Sequence, residues 1–247
     1  MEVLNDILGY PNRKIYQNTD FFSFSLDSVM LANFVSIRLR DKNILDLGTG
    51  NAVIPLILSL RTNKSITGVE IQTSLVELAN KSILYNHLEK QVKVICLDIK
   101  KFVTTDTIEK YDVITCNPPY FKLNDKNFLN VSTEKMIARH EVSITLDEVI
   151  SCANKLLKNN GNFAIVHRTE RLLEIFDLFR KYHIEPKRIR FVHENVNKPS
   201  TLVLIEGTKN GKLGLKVEKP FILYSEDGTR TIEYNNFLVE VSEDETK

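Results

Sequence analysis

From residue 43 onward, short apolar runs alternate with segments whose apolar residues recur every three or four positions. Residues 43–47, Asn-Ile-Leu-Asp-Leu, predict a first strand, and residues 52–60 a helix in which Pro55 is tolerated only because it falls in the first turn. Residues 65–70 predict a second strand, and Leu75, Val76, Leu78, Ala79 and Ile83 then follow at helical spacing. Residues 92–97 and 111–116 are the next two strands. A helix over 146–158 is expected to stop at Asn159-Asn160-Gly161, followed by a strand at 163–167 and a helix at 170–182. Alternation of this kind predicts an α/β fold with a mostly parallel sheet covered on both faces.

The two ends break the pattern. Residues 188–193 and 202–206 are apolar runs with no helix between them, so they are expected to pair antiparallel at an edge of the sheet. Residues 221–224 and 231–234, split by Ser225-Glu226-Asp227-Gly228, predict a C-terminal hairpin. Residues 1–42 form a lead-in that contains an amphipathic stretch at 28–38, and residues 43–247 form the domain proper.

The 247 residues suffice for a sizeable core, and 43% hydrophobic with 26% charged residues is ordinary for a globular chain. No apolar stretch approaches the roughly 18 residues needed to span a bilayer. The start Met1-Glu2-Val3-Leu4-Asn5-Asp6 lacks the basic and apolar regions of a secretion signal, so a cytoplasmic protein is expected. Cys96, Cys116 and Cys152, without CxxC or His-rich spacing, are expected to be reduced core thiols, with neither disulfide nor metal. Net charge is only +1, yet residues 155–219 hold 14 Lys and Arg against 7 Asp and Glu, a local excess able to neutralise phosphates.

Candidate chemistry sits where the predicted strands end, the edge at which open α/β sheets bind ligands. Asp46-Leu47-Gly48-Thr49-Gly50-Asn51-Ala52 links a strand to a helix through small residues that let the backbone approach a ligand, and the helix start offers free N–H groups. The dinucleotide fingerprint G-x-G-x-x-G requires glycine or alanine where this chain has Val53. Asp46 would repel a pyrophosphate but attract an ammonium group. Glu70 ends the second strand, where a carboxylate can accept both hydroxyls of a ribose, and Asp98 ends the third, where it can accept from an adenine amino group.

Asn117-Pro118-Pro119-Tyr120 ends the fourth strand abruptly, because proline cannot donate to a ladder and restricts the residue before it. The Asn117 side-chain oxygen and the Pro118 carbonyl can each accept one hydrogen of an amine whose lone pair is delocalised, localising that pair for attack. The two prolines stiffen the arrangement, Tyr120 can stack on a planar acceptor, and Phe121 can wall the same pocket. Arg168, Arg171, Lys187, Arg188, Arg190 and Lys198 are the candidate phosphate contacts. His140 and His167 have no partner at a telling spacing and are read as structural or surface residues.

In order, Asp46 to Ala52, Gly68-Val69-Glu70, Asp98 and Asn117 to Tyr120 resemble the motifs of class I S-adenosylmethionine-dependent amino-methyltransferases. Three further segments are similar to the bacterial tRNA1(Val) adenine-37 N6-methyltransferase family: Phe22-Ser23-Phe24-Ser25-Leu26-Asp27-Ser28-Val29-Met30-Leu31, Arg139-His140-Glu141 and Val166-His167-Arg168-Thr169-Glu170-Arg171-Leu172. The resemblance spans nearly the whole chain. It implies a Rossmann-like, mostly parallel seven-stranded sheet with the last strand reversed. It further implies S-adenosylmethionine held by Asp46, Gly48, Thr49, Gly50, Glu70, Ile71, Asp98, Ile99 and Asn117, with catalysis by Asn117, Pro118, Pro119 and Tyr120. The implied partner is tRNA, methylated at an adenine beside the anticodon by a monomer. Three alternatives stay open: a protein glutamine N5-methyltransferase, whose members carry a helical domain in front where only 42 residues stand here; a methyltransferase acting on rRNA or DNA bases; and a non-catalytic RNA-binding module that kept the fold.

Overall fold

A computed structural model describes residues 1–18, 26–120 and 144–239. Phe121, His140, the segment Arg139-His140-Glu141, residues 22–25 of the Phe22–Leu31 segment and the acidic tail therefore lie outside the described residues.

The predicted alternation is present: β3 (Asn43–Leu47), α2 (Val53–Arg61), β4 (Ser65–Glu70), α3 (Thr73–Tyr85), β5 (Val92–Cys96), α4 (Ile99–Phe102), β6 (Tyr111–Cys116), α5 (Leu146–Leu156), β7 (Leu157–Arg168), α6 (Leu172–Lys181), β8 (Ile184–His193) and β9 (Leu202–Lys209). Strands lie in the order β5-β4-β3-β6-β7-β9-β8, parallel except for β9, which is antiparallel to both neighbours. The final core strand is thus reversed as expected, but it is inserted beside β7 and leaves β8 outside it. Two short strands, β10 (Lys216–Val217) and β11 (Phe221–Ile222), extend the sheet by pairing in parallel with β8.

Period-two alternation sends successive residues to opposite faces. Ile44, Val113, Ala164 and Val166 point into a core shared with the lead-in, α2 and the end of α3, whereas Leu45, Leu47, Ile114, Phe163 and Ile165 face a second core with α4, α5 and α6. Burying one such side chain contributes about 1.5–3 kcal/mol.

Three sequence expectations need correction. The helix expected over 146–158 ends at Leu156, since Leu157 is already extended (φ −71°, ψ 137°). Asn159-Asn160-Gly161 falls inside β7, where the pairing slips: Tyr111 faces Leu157 but Val113 faces Asn162, and Asn160 takes up the excess chain at φ 61°. A Cβ at Gly161 would stand 2.9 Å from the Leu157 side chain and 3.1 Å from the Asp112 carbonyl, so the bulge requires glycine there.

The C-terminal hairpin is replaced by a single antiparallel bridge, Tyr224 to Arg230, followed by α7 (Ile232–Val239). The Thr231 hydroxyl accepts the Tyr234 N–H at 3.1 Å, an N-cap bond that starts a helix where β-branched residues favoured a strand.

The lead-in is a hairpin, β1 (Glu2–Ile7) with β2 (Tyr10–Asn18), and a helix, α1 (Leu26–Phe34). That helix is not amphipathic: Ser28 through Ala32 and Phe34 are all buried, because it packs against α2 as well as against β7 and β9. Asn86 clamps β2 by accepting the Lys14 N–H and donating to the Lys14 carbonyl, while the Ser82 hydroxyl accepts the Tyr16 N–H.

Candidate active site

The parallel strands deliver their carboxyl ends to one edge. Leu47 of β3 pairs with Cys116 of β6, so Gly48 and Asn117 leave the sheet side by side, on strands about 4.8 Å apart. Glu70 ends the other neighbour of β3, and Cys96 of β5 pairs with Glu70. All three acids and the Asn-Pro-Pro-Tyr segment are therefore brought to the same edge.

The loop after β3 has left-handed backbone at Gly48 (φ 65°) and Gly50 (φ 58°), and nothing lies within 4 Å of where a Cβ would stand at either, so open space adjoins both. Gly48 and Thr49 donate to the Val69 carbonyl. Glu70 is buried, and its carboxylate accepts three backbone N–H groups: Gly50 on Oε2 at 3.0 Å, and Ile71 and Gln72 on Oε1 at 2.9 Å each. A carboxylate has about four acceptor sites. About one of these is left over by the backbone donors.

Asp46 is almost fully buried. Its Oδ1 accepts the Thr115 hydroxyl at 2.6 Å, while Oδ2 has no partner. Burial pushes its carboxyl up to about 7 against the pull of Thr115 and Thr49, so its ionisation is sensitive to pH. The Thr49 hydroxyl is buried too; it adds to the pull on the Asp46 carboxyl, yet neither it nor Asp46 Oδ2 completes a hydrogen bond of good geometry. Two orphaned polar atoms beside open glycines fit a ligand that brings its own donors and acceptors, as the amino acid end of S-adenosylmethionine would. Asp98 Oδ1 caps α4 by accepting the Lys100 N–H at 2.8 Å. Ile99 is buried under that turn and Ile71 is exposed.

At the end of β6, Asn117 is half-buried, Pro118 buried and Pro119 exposed. Asn117 Nδ2 donates to Ser28 Oγ at 2.8 Å, and the Tyr120 hydroxyl lies 3.0 Å from Asn117 Oδ1 and 2.6 Å from Asp27 Oδ2. Burial, then the Asp27 charge, holds the Tyr120 phenol well above its ordinary value, so it stays protonated. The Tyr120 ring packs 5.1 Å from the imidazole of His167, with the Arg168 guanidinium 5.2 Å from its centroid. His167 is buried, burial pushes it down to about 4, and its Nδ1 accepts the Arg168 N–H. It is a neutral packing partner of Tyr120. Asp27 and Ser28 were not given a chemical role by sequence, their one signal being that they fall in the 22–31 segment similar to the family, and His167 was read as structural or surface.

The candidate phosphate contacts separate into two groups. Arg168 is exposed beside Tyr120, and Lys198 lies in the β8–β9 loop at the same edge, paired with Glu194. Arg171 is bound to Glu174, Lys187 to the Lys212 carbonyl, and Arg190 to Glu233 and the Lys219 carbonyl. Arg188 bonds Glu206, Glu218 and the Phe34 carbonyl and stacks on the Phe34 ring. Its register opposite Glu206, well before the strand end, sets it apart from the site. Cys116 and Cys152 are buried, whereas Cys96, expected in the core, is exposed.

The model of a methyltransferase domain matches residues 39–207. Two curated relatives, from Parabacteroides distasonis (29% identical, 82% of this chain and 86% of the relative) and Aliivibrio salmonicida (24%, 88% of each), are both named tRNA1(Val) (adenine(37)-N6)-methyltransferase. Among solved structures, a predicted O-methyltransferase from Agrobacterium tumefaciens superposes with a TM-score of 0.65 at 16% identity, over 86% of this chain and 95% of that one. A geranyl diphosphate C-methyltransferase from Streptomyces coelicolor superposes with a TM-score of 0.54 at 10% identity, over 74% and 76%. The strand order, the loop after β3 and these matches agree, and the chain belongs to the methyltransferase-domain family, with the class I fold.

Proposed function

We propose that this protein transfers a methyl group from S-adenosylmethionine to the exocyclic N6 amine of adenine in tRNA, at adenine-37 of tRNA1(Val), acting as a cytoplasmic monomer without a metal. The observation that carries this reading is the pairing of Leu47 with Cys116, from which the glycine loop and the amide of Asn117 emerge next to each other. The names of the relatives supply the substrate.

Asp46, Thr49, the glycine backbone, Glu70 and Asp98 would hold the cofactor, which when bound supplies an electrophilic sulfonium methyl. Everything else falls to the chain. The target adenine leaves its stack and meets the Tyr120 ring, a contact of the kind worth about 1–3 kcal/mol per base. Asn117 Oδ1 and the Pro118 carbonyl each accept one N6 hydrogen, which turns the nitrogen lone pair out of the ring and toward the donor. Positioning of this kind can supply about 7–11 kcal/mol of a barrier. No strong base is required, since the nitrogen sheds a proton readily once it is cationic, and His167 has its Nδ1 already engaged. Arg168 beside the ring is suited to the phosphate next to the flipped base.

The test is incubation with methyl-labelled cofactor and separate pools of unmodified tRNA, rRNA, DNA and release factor, followed by nucleoside digestion. Label in tRNA recovered as N6-methyladenosine is expected. Label in glutamine or DNA alone would replace the substrate assignment.

A further inference from the structure

Asn117 must offer a lone pair in one direction, yet the terminal torsion of an asparagine is broad and nearly two-fold. Both ends of its amide are held by groups distant in sequence: Nδ2 by Ser28 Oγ at 2.8 Å, and Oδ1 by the Tyr120 hydroxyl at 3.0 Å. A phenol has one proton. The second acceptor for it is Asp27 Oδ2 at 2.6 Å, so the proton is shared, with the shorter, charge-assisted arm on the carboxylate. An amide oxygen has two lone pairs; Tyr120 uses one and leaves the other for an incoming N–H.

Asp27 and Ser28 are consecutive in the first turn of α1, whose next residues Val29, Leu31 and Ala32 are fully buried. The clamp is thus fastened to the core on one side and to the catalytic segment on the other. From this geometry we propose that Asp27 is a positioning residue: by anchoring the Tyr120 hydroxyl it fixes both the tilt of the Tyr120 ring and the orientation of the Asn117 amide, and so governs the methyl-transfer step. The proposal rests on the function given above. The phenol, kept protonated by its surroundings, donates throughout the working range.

The experiment compares Asp27→Ala, Asp27→Asn, Tyr120→Phe and the Asp27→Ala/Tyr120→Phe double variant. Asp27→Ala and Tyr120→Phe should each lower kcat about tenfold, one hydrogen bond's worth of orientation, with KM for tRNA nearly constant. The double variant should fall no further than Tyr120→Phe, because Tyr120→Phe already removes the hydroxyl through which Asp27 acts. Asp27→Asn keeps an acceptor oxygen and should recover most of the rate. Losses that multiply, or wild-type kcat in Asp27→Ala, overturn the proposal.

A second measurement needs no substrate. In the protein alone, the side-chain amide resonance of Asn117 should shift in Asp27→Ala and Tyr120→Phe and remain near its place in Asp27→Asn; an unmoved resonance in Asp27→Ala overturns the coupling. If the parent protein methylates no adenine, a shifted resonance in Asp27→Ala still supports the coupling and only the substrate assignment falls.

Discussion

Glu70 Oε2 accepts the Gly50 N–H at 3.0 Å, so the acid that ends β4 sets the shape of the loop that ends β3. The other oxygen takes the N–H groups of Ile71 and Gln72 at the turn into α3. One side chain therefore organises two turns of the cofactor edge, and Glu70→Ala strands three backbone donors at once. Each unsatisfied donor costs about 1–3 kcal/mol, partly recovered where water reaches it. Urea unfolding should show a loss of about 2 kcal/mol or more in Glu70→Ala, alongside failure to bind cofactor, with Glu70→Gln less damaged because it retains one acceptor oxygen.

Asp46 predicts a pH dependence. With its carboxyl raised to about 7 by burial, binding of a ligand ammonium must drive off the proton, so cofactor affinity should rise about tenfold per unit up to pH 7 and level above it. Calorimetric titration in buffers of different ionisation enthalpy would register the released proton. For folding, the unfolded carboxyl ionises near its ordinary value of about 3.9 while the folded one keeps its proton to about 7, so stability due to Asp46 falls as pH rises through that window. Asp46→Asn should be more stable than the parent at pH 8, equal to it below pH 4, and show no pH-dependent rise in cofactor affinity.

Removal of the Asn117 amide takes away an interaction needed only as the amine is activated. Asn117→Ala should reduce kcat by about a hundredfold or more, of the order seen on loss of one preorganised polar contact to developing charge. Cofactor affinity by calorimetry should remain within a few-fold of the parent. Comparable losses in both quantities would mean that Asn117 holds the cofactor instead.

Two arginines should behave oppositely. Glu206 is buried and accepts the Ser36 N–H and hydroxyl as well as Arg188, so Arg188→Ala leaves the buried carboxylate with Arg61 alone in reach of its charge, at a cost of about 3 kcal/mol. Its defect should appear in thermal unfolding. Arg168→Glu, by contrast, should leave the unfolding midpoint nearly constant while weakening tRNA binding and lowering the slope of affinity against salt by about one.

Much of this architecture is legible in the chain because local patterns and global fold agree. The strands from Asn43 to Cys116 carry two-faced alternation, and each ends in the acid, glycine pair or Asn-Pro dipeptide that marks the ligand edge. Legibility fails where a single side-chain bond or a distant partner overrides the pattern. The helix at Ile232–Val239 begins because Thr231 caps it, against β-branched residues that favoured a strand. Basic residues in the 155–219 stretch read alike along the chain, yet Arg188 is spent on Glu206 and Glu218 while Arg168 stands exposed at the site.

The sequence by itself determined the α/β alternation, the glycine loop, the three strand-ending acids and the Asn-Pro-Pro-Tyr segment, since periodicity, glycine conformation and the geometry of proline act within a few residues. Only the tertiary structure decided which of those groups remain available. Burial raises the Asp46 carboxyl to about 7, Glu70 spends most of its acceptor capacity on the backbone, and Asp27 and Ser28 reach Tyr120 and Asn117 across about ninety residues. Desolvation and long-range hydrogen bonds depend on what packs against a side chain, and that partner is chosen by the fold.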